Sequence, residues 1–121
     1  MRKLVRSLAV AVLAVSGCYH IAQLQARFAA TSAPPLYAER CSTCHGPKGR
    51  GDGLGGEGLD PKPRDFASRD WQALVSDTHI AETIHRGGAA MGLSAAMPAQ
   101  PDLDTAQLQQ LVAYIRAVGA R

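Results

Sequence analysis

Cys41, Ser42, Thr43, Cys44 and His45 form a C-x-x-C-H run, and its spacing restricts what can be built around it. Two thiols three residues apart at the end of a helical turn can each add across a vinyl group of one haem and anchor it covalently. His45 follows at once, which brings its imidazole under the iron as an axial ligand while the thioethers fix distance and tilt. The same residue types serve other chemistry. A zinc site needs four ligands, and the only other cysteine, Cys18, lies in a leader-like segment. A thioredoxin-like redox pair sits in a βαβ pattern, which is not found around this run. One covalently attached haem c, held by Cys41 and Cys44 with His45 on the iron, is the expected cofactor.

A chain of 121 residues with 5% aromatics is one small domain, and such a domain commonly needs a disulfide, metal or cofactor to complete its core. The formal charge of +3 suggests acidic partners until it is located. Arg2, Lys3 and Arg6 belong to the leader; of thirteen bases ten remain beyond it, against ten acids. The domain is neutral by count, and haem propionates would make it slightly acidic, so there is no electrostatic case for nucleic-acid binding.

Residues 1–17 read as an export signal: a basic start, an apolar run from Leu8 to Val15, then Ser16-Gly17 ahead of Cys18. The small residues before that cysteine resemble a lipoprotein cleavage box, which would make Cys18 the lipidated first residue. Two alternatives stay open, ordinary cleavage further on among Ala29, Ala30 and Ala33, and an uncleaved anchor. His20, Gln23 and Gln25 interrupt any apolar span of about 20 residues. In each case the domain ends outside the cytoplasm. Residues 18–33 are expected to be a tether, and 34–121 the domain.

Pro34-Pro35 suits a helix entrance, and one helix is expected to carry Leu36, Tyr37 and Arg40 on one face, run through the haem motif and stop near Gly46. From Gly46 to Pro63 glycine and proline dominate, which reads as a loop. A short helix capped by Ser68 should turn Trp71, Leu74 and Val75 inward. Another begins at Asp77 or Thr78, places Ile80 and Ile84 on one face and stops at Gly87-Gly88. Ala89 to Pro101 is a loop with two methionines. In the last helix, Asp104 caps with Gln107 as partner, Leu103 and Leu108 form a staple, and Leu108, Leu111, Val112, Ile115 and Val118 make the buried stripe.

The second axial ligand decides between electron transfer and chemistry at an open iron. Candidates are Met97, Met91, His79 and His85. Pro98 holds Met97 extended, whereas Met91 lies among small residues with no such restraint, so Met97 is preferred. Both histidines are expected on a helix surface away from the ligand loops.

Together, Cys41-Ser-Thr-Cys-His45-Gly-Pro-Lys-Gly-Arg-Gly-Asp-Gly, Gly58-Leu-Asp-Pro-Lys-Pro-Arg-Asp-Phe66, Ile84 with Gly87-Gly88, Met97-Pro98 and Val112-Ala-Tyr-Ile-Arg116 resemble a small bacterial class I cytochrome c, from about Leu36 to Val118. The resemblance implies an all-α fold around one haem, first and last helices crossing, with Leu36 or Tyr37 against Ile115. It also implies that a proline carbonyl, Pro63 rather than Pro61, accepts a hydrogen bond from His45, and that Arg64 could meet a propionate, although an exposed arginine is an equal reading. Trp71 reads as core packing rather than an electron conduit.

The function this implies is electron transfer, not enzymatic catalysis, between periplasmic or membrane redox partner proteins; the cleavage box adds the expectation of a lipid anchor at Cys18 that would hold the domain to the membrane, with a soluble periplasmic protein as the alternative. The alternatives are an electron-entry subunit of a larger oxidoreductase, and a haem enzyme or gas sensor with an open sixth site. No acid, base or nucleophile constellation accompanies the haem motif to favour the last.

Overall fold

The first two helices differ from the single helix expected. In the structure, a computed structural model that describes His20 and residues 33–121, α1 (Pro35–Arg40) ends at Cys41, and α2 (Ser42–His45) starts directly after it. Cys41 sits at φ −118°, ψ −35°, still right-handed but stretched in φ from the regular helix, and the two helices part at the first thiol. Gly46, at φ 80° and ψ 157°, ends α2. The leader, Cys18 and the tether apart from His20 and Ala33 lie outside the described residues. Among the described residues there is no strand, and no helix is long and apolar enough to cross a membrane.

After a loop with a single 3-10 turn (Leu54–Gly56), α3 (Arg69–Leu74), α4 (Asp77–Ala90) and α5 (Thr105–Gly119) complete the domain. Their starts follow from short side chains that satisfy free backbone N–H groups. Ser68 accepts from Trp71 N, Ser76 from His79 N, and Asp104 from Gln107 N at 2.8 Å while Gln107 Oε1 accepts from Asp104 N at 2.9 Å. Each such cap contributes about 1 kcal/mol.

The core is the stripe of α5 laid against α4 and α1. Leu111, Val112, Ile115 and Val118 are buried as expected, and Leu103 is buried beneath the start of α5. Tyr114, on the same stripe, is buried too and meets Tyr37 with ring centroids 4.5 Å apart. This tyrosine pair is a direct ring contact between α1 and α5, within the same core cluster that holds Leu36 and Ile115. Leu74 departs further from expectation: it is 87% exposed, while Trp71 and Val75 pack against the core. A six-residue helix offers only one narrow inward face, and α3 gives it to Trp71.

Arg116 fixes the far end of α5. Its guanidinium donates to Asp77 Oδ1 (2.6 Å), to Gln72 O and Oε1 (2.9 and 2.7 Å), and to Val75 O (2.6 Å). It thereby takes up carbonyls left open at the end of α3 and anchors the start of α4.

Candidate haem site

The haem motif is held by bonds close in sequence. Cys44 N and His45 N both donate to Cys41 O, at 3.3 and 2.9 Å. The glycine loop then folds back along α2, with Gly51 N donating to His45 O (2.8 Å) and Gly53 N to Cys44 O (3.2 Å). Gly53 is required here by space: a Cβ would run into the Thr43 carbonyl and come within 2.7 Å of Cys44 C. The strand of loop can approach the motif only without a side chain. Tyr37 closes the seat from beneath, its buried hydroxyl donating to Gly46 O at 2.8 Å, and burial raises its pKa so that it stays a donor.

His45 is fixed in orientation. Its Nδ1 lies 3.2 Å from Arg64 O, and Phe66 stacks on the ring at 4.6 Å and 17°. As an N–H donor at Nδ1 the imidazole keeps Nε2 free for a metal. Burial lowers its pKa, against the opposing effect of the Arg64 carbonyl, which keeps the ring neutral and able to coordinate. The carbonyl expected in this role was that of Pro63. Pro63 O is instead turned onto Gly51, so closely that a Cβ there would collide with it, and the next carbonyl along meets His45.

Met97 is held on a different part of the chain. Helix α4 is interrupted at Gly87, whose φ of 78° and ψ of 164° belong to a region essentially confined to glycine. Backbone bonds cross to the methionine loop at this point, among them one from Leu93 N to Gly88 O at 2.8 Å. Gly88 N donates to Met97 O at 3.0 Å, and Gln100 N donates to Ile84 O at 3.0 Å. The Ile84 carbonyl is the one that Gly88 N would meet in an uninterrupted helix. A Cβ on Gly87 would lie 2.7 Å from Ala99 N, so the loop can tuck against α4 only past a bare backbone. Gly87-Gly88 was expected to stop the helix; it also builds the shelf on which Met97 rests.

These segments converge on one cleft of about 530 Å³, within the range of cofactor sites. Cys41, Cys44, His45 and Met97 line it, as do Pro63 and Arg64. Apolar walls come from Ile80, Ile84, Leu93, Leu111 and Ile115. Met91 is half-buried and is not among the lining residues. Arg64 is exposed, with its guanidinium 5.9 Å from the Trp71 ring centroid. Two expectations about histidines change. His79 is exposed yet lines the cleft, because α4 lies along it with Ile80, Thr83 and Ile84 on the same wall. His85 is half-buried rather than on the surface, and its buried Nδ1 has no hydrogen-bond partner.

The donor set fits a covalently attached haem better than its competitors. Both cysteines are free thiols, and burial pushes Cys41 up to about 11, although Arg40 opposes it. A catalytic redox cysteine is activated by a lowered pKa, the opposite shift. Among the described residues no three His, Cys, Asp or Glu side chains form a group that could hold a metal ion. Two thiols and one oriented imidazole on a large apolar slot are what a porphyrin needs. No curated protein and no solved structure matches the chain significantly. The family model described as Cytochrome c matches residues 31–119, and the chain is therefore a member of the cytochrome c family, a class I c-type cytochrome with covalently attached haem c.

Proposed function

We propose that this domain is a single-haem electron carrier in which Cys41 and Cys44 form the thioethers and His45 Nε2 and Met97 sulfur bind the iron. Membership of the family carries electron transfer by a haem protein; the ligand set is the step beyond it. The observation that supports it most is that Met97 lines the same cleft as Cys41, Cys44 and His45, whereas Met91 does not. When bound, the haem supplies a one-electron ferric–ferrous couple. The protein's part is to hold the imidazole neutral and fixed, to exclude water with Ile80, Ile84, Leu111 and Ile115, and to keep a soft sulfur close by. Arg64, at the rim, is the side chain suited to a propionate.

The partners we propose are redox proteins on the periplasmic side of a bacterial membrane, with Cys18 as a lipid anchor. From Gly87 to Pro101 the chain has no charged residue, and most of that stretch is exposed, Leu93 to 52%. A partner approaching the cleft from this side meets a neutral surface, so its association should respond weakly to salt. Lipidation predicts that the protein stays with membranes in high salt and that Cys18→Ser releases it with haem still attached.

The deciding experiment uses the purified protein. Haem should survive acid–acetone extraction and give a c-type pyridine haemochrome with one haem per chain. Met97→Ala should lose the weak charge-transfer absorption of methionine-ligated ferric haem and have a lower potential, because thioether sulfur favours the ferrous state. If Met91→Ala produces these changes and Met97→Ala does not, the ligand assignment is wrong.

A further inference from the structure

Arg40, the last residue of α1, stands immediately before Cys41. Its Nη1 donates to Gln100 Oε1 at 3.1 Å and to Asp102 Oδ2 at 2.7 Å. Both acceptors lie just past Met97-Pro98, and Arg40 and Gln100 line the cleft. Among the described residues no other hydrogen bond joins residues 35–45 to residues 94–102. The backbone bonds described above tie the methionine loop to α4 alone; this guanidinium alone ties it to the segment that carries the thiols.

We propose that Arg40 is a positioning residue, a clasp that holds the Met97 loop closed over the cleft and so sets how readily the sixth position admits an outside ligand. The inference rests on Met97 being that ligand. An ordinary exposed ion pair contributes little, and Asp102 is 59% exposed. Arg40, itself exposed, differs in that it engages two partners on one short loop whose only other hydrogen bonds to the rest of the domain are those to α4. The mutual shifts agree with a formed pair: the guanidinium beside it lowers Asp102, and the carboxylate raises Arg40. A closed loop must open before a competing ligand can enter, so a clasp acts on the rate of that opening.

The test follows the binding of imidazole to the ferric full-length holoprotein, together with its thermal midpoint. Arg40→Gln and Asp102→Asn should each speed imidazole binding by about three- to tenfold, the range open to a charge-assisted pair at a cleft edge. The double variant should be no faster than the faster single one. Sodium chloride should speed the wild type and leave Asp102→Asn unchanged. Val112→Ala, which loosens the core away from the cleft lining, provides the comparison. If the clasp variants lower the midpoint as Val112→Ala does and bind imidazole no faster than it, Arg40 is merely structural and the proposal fails. Met97→Ala separates the two layers: if it binds imidazole at the wild-type rate, the ligand assignment is what falls, whereas fast binding there and unchanged rates in the clasp variants overturn the clasp alone.

Discussion

The thiol-and-imidazole segment and the methionine segment face the same cleft but are held by different means. Cys41–His45 is bonded to itself and to the glycine loop that follows: Cys41 O takes two N–H groups, and His45 O and Cys44 O take those of Gly51 and Gly53. Met97 has less local support, one bond from its own N–H to Ser94 O at 3.2 Å. It depends on an interruption in α4, on a carbonyl from Ile84, and on Arg40 some sixty residues earlier. A seat made by near neighbours is specified by a short stretch of sequence. A seat made by distant elements exists only when those elements are docked, and it opens at lower cost than the whole domain. On the proposed ligand set, the half that would carry the covalent anchors is the more firmly bonded one, and the half that would supply the sulfur is the one expected to open more readily.

Breaking the fixed half should give the largest effect. Gly53→Val would drive a branched side chain into the Thr43 carbonyl and the Cys44 backbone, neither of which is the end of a flexible side chain. The cost should be on the order of 3 kcal/mol or more, and the yield of protein with haem attached should collapse. If Gly53→Val gives normal haem attachment and a wild-type thermal midpoint, the loop is not the seat described.

Gly87→Ala attacks the mobile half. The left-handed backbone penalises any side chain by roughly 1–3 kcal/mol, and the new Cβ would press on Ala99 N. Covalent haem should be retained in near-normal yield, while the methionine charge-transfer absorption weakens and imidazole binds faster. Equal loss of both halves would show that the two seats are not independent.

Arg116→Gln sharpens the contrast from outside the site. It removes contacts to Asp77 and Val75 that join α5 to the α3–α4 junction and should cost about 1–3 kcal/mol. Because those contacts lie away from both seats, the thermal midpoint should fall with no change in the charge-transfer absorption. A weakened absorption would mean that the methionine loop is sensitive to general loosening rather than to its own ties.

The same division explains what could be read in the sequence. The haem motif, the caps at Ser68, Ser76 and Asp104, and the α5 stripe all involve residues a few positions apart, where spacing alone determines the contact. Tyr114 was within reach of that reasoning, since it lies three residues after Leu111 and four before Val118, on the buried stripe. The Arg64 carbonyl was not, because which of two successive carbonyls faces His45 depends on how Pro63 sits against Gly51. Nor was the exposure of Leu74, which follows from Trp71 taking the inward face of a short helix. His79 on the cleft wall, the buried Nδ1 of His85 and the Arg40 clasp all depend on which helices pack together. Gly87-Gly88 carried a signal that was only half legible: paired glycines at a helix end announce a stop, but not that another chain will cross there.

The smallest effect expected is one of pH, and it bears on the mobile half alone. The hydrogen bond from Arg40 holds the Asp102 carboxyl below its ordinary value of 3.8. A carboxylate depressed in the folded state contributes stability that is fully present above its unfolded pKa and is lost as pH falls through the lower folded value. Arg40 stays charged throughout, so acid breaks the pair by protonating Asp102. Imidazole binding should therefore be constant down to the ordinary carboxylate range, then quicken at lower pH once the falling fraction of neutral imidazole has been divided out. Other carboxylates titrate in the same window, and Asp102→Asn separates them. That variant should already bind faster at neutral pH and should lack the part of the acid rise that belongs to Asp102. If wild type and variant rise in parallel, Asp102 contributes nothing to closure, and the methionine loop is held by the hydrogen bond from Arg40 to Gln100 and by its backbone bonds to α4.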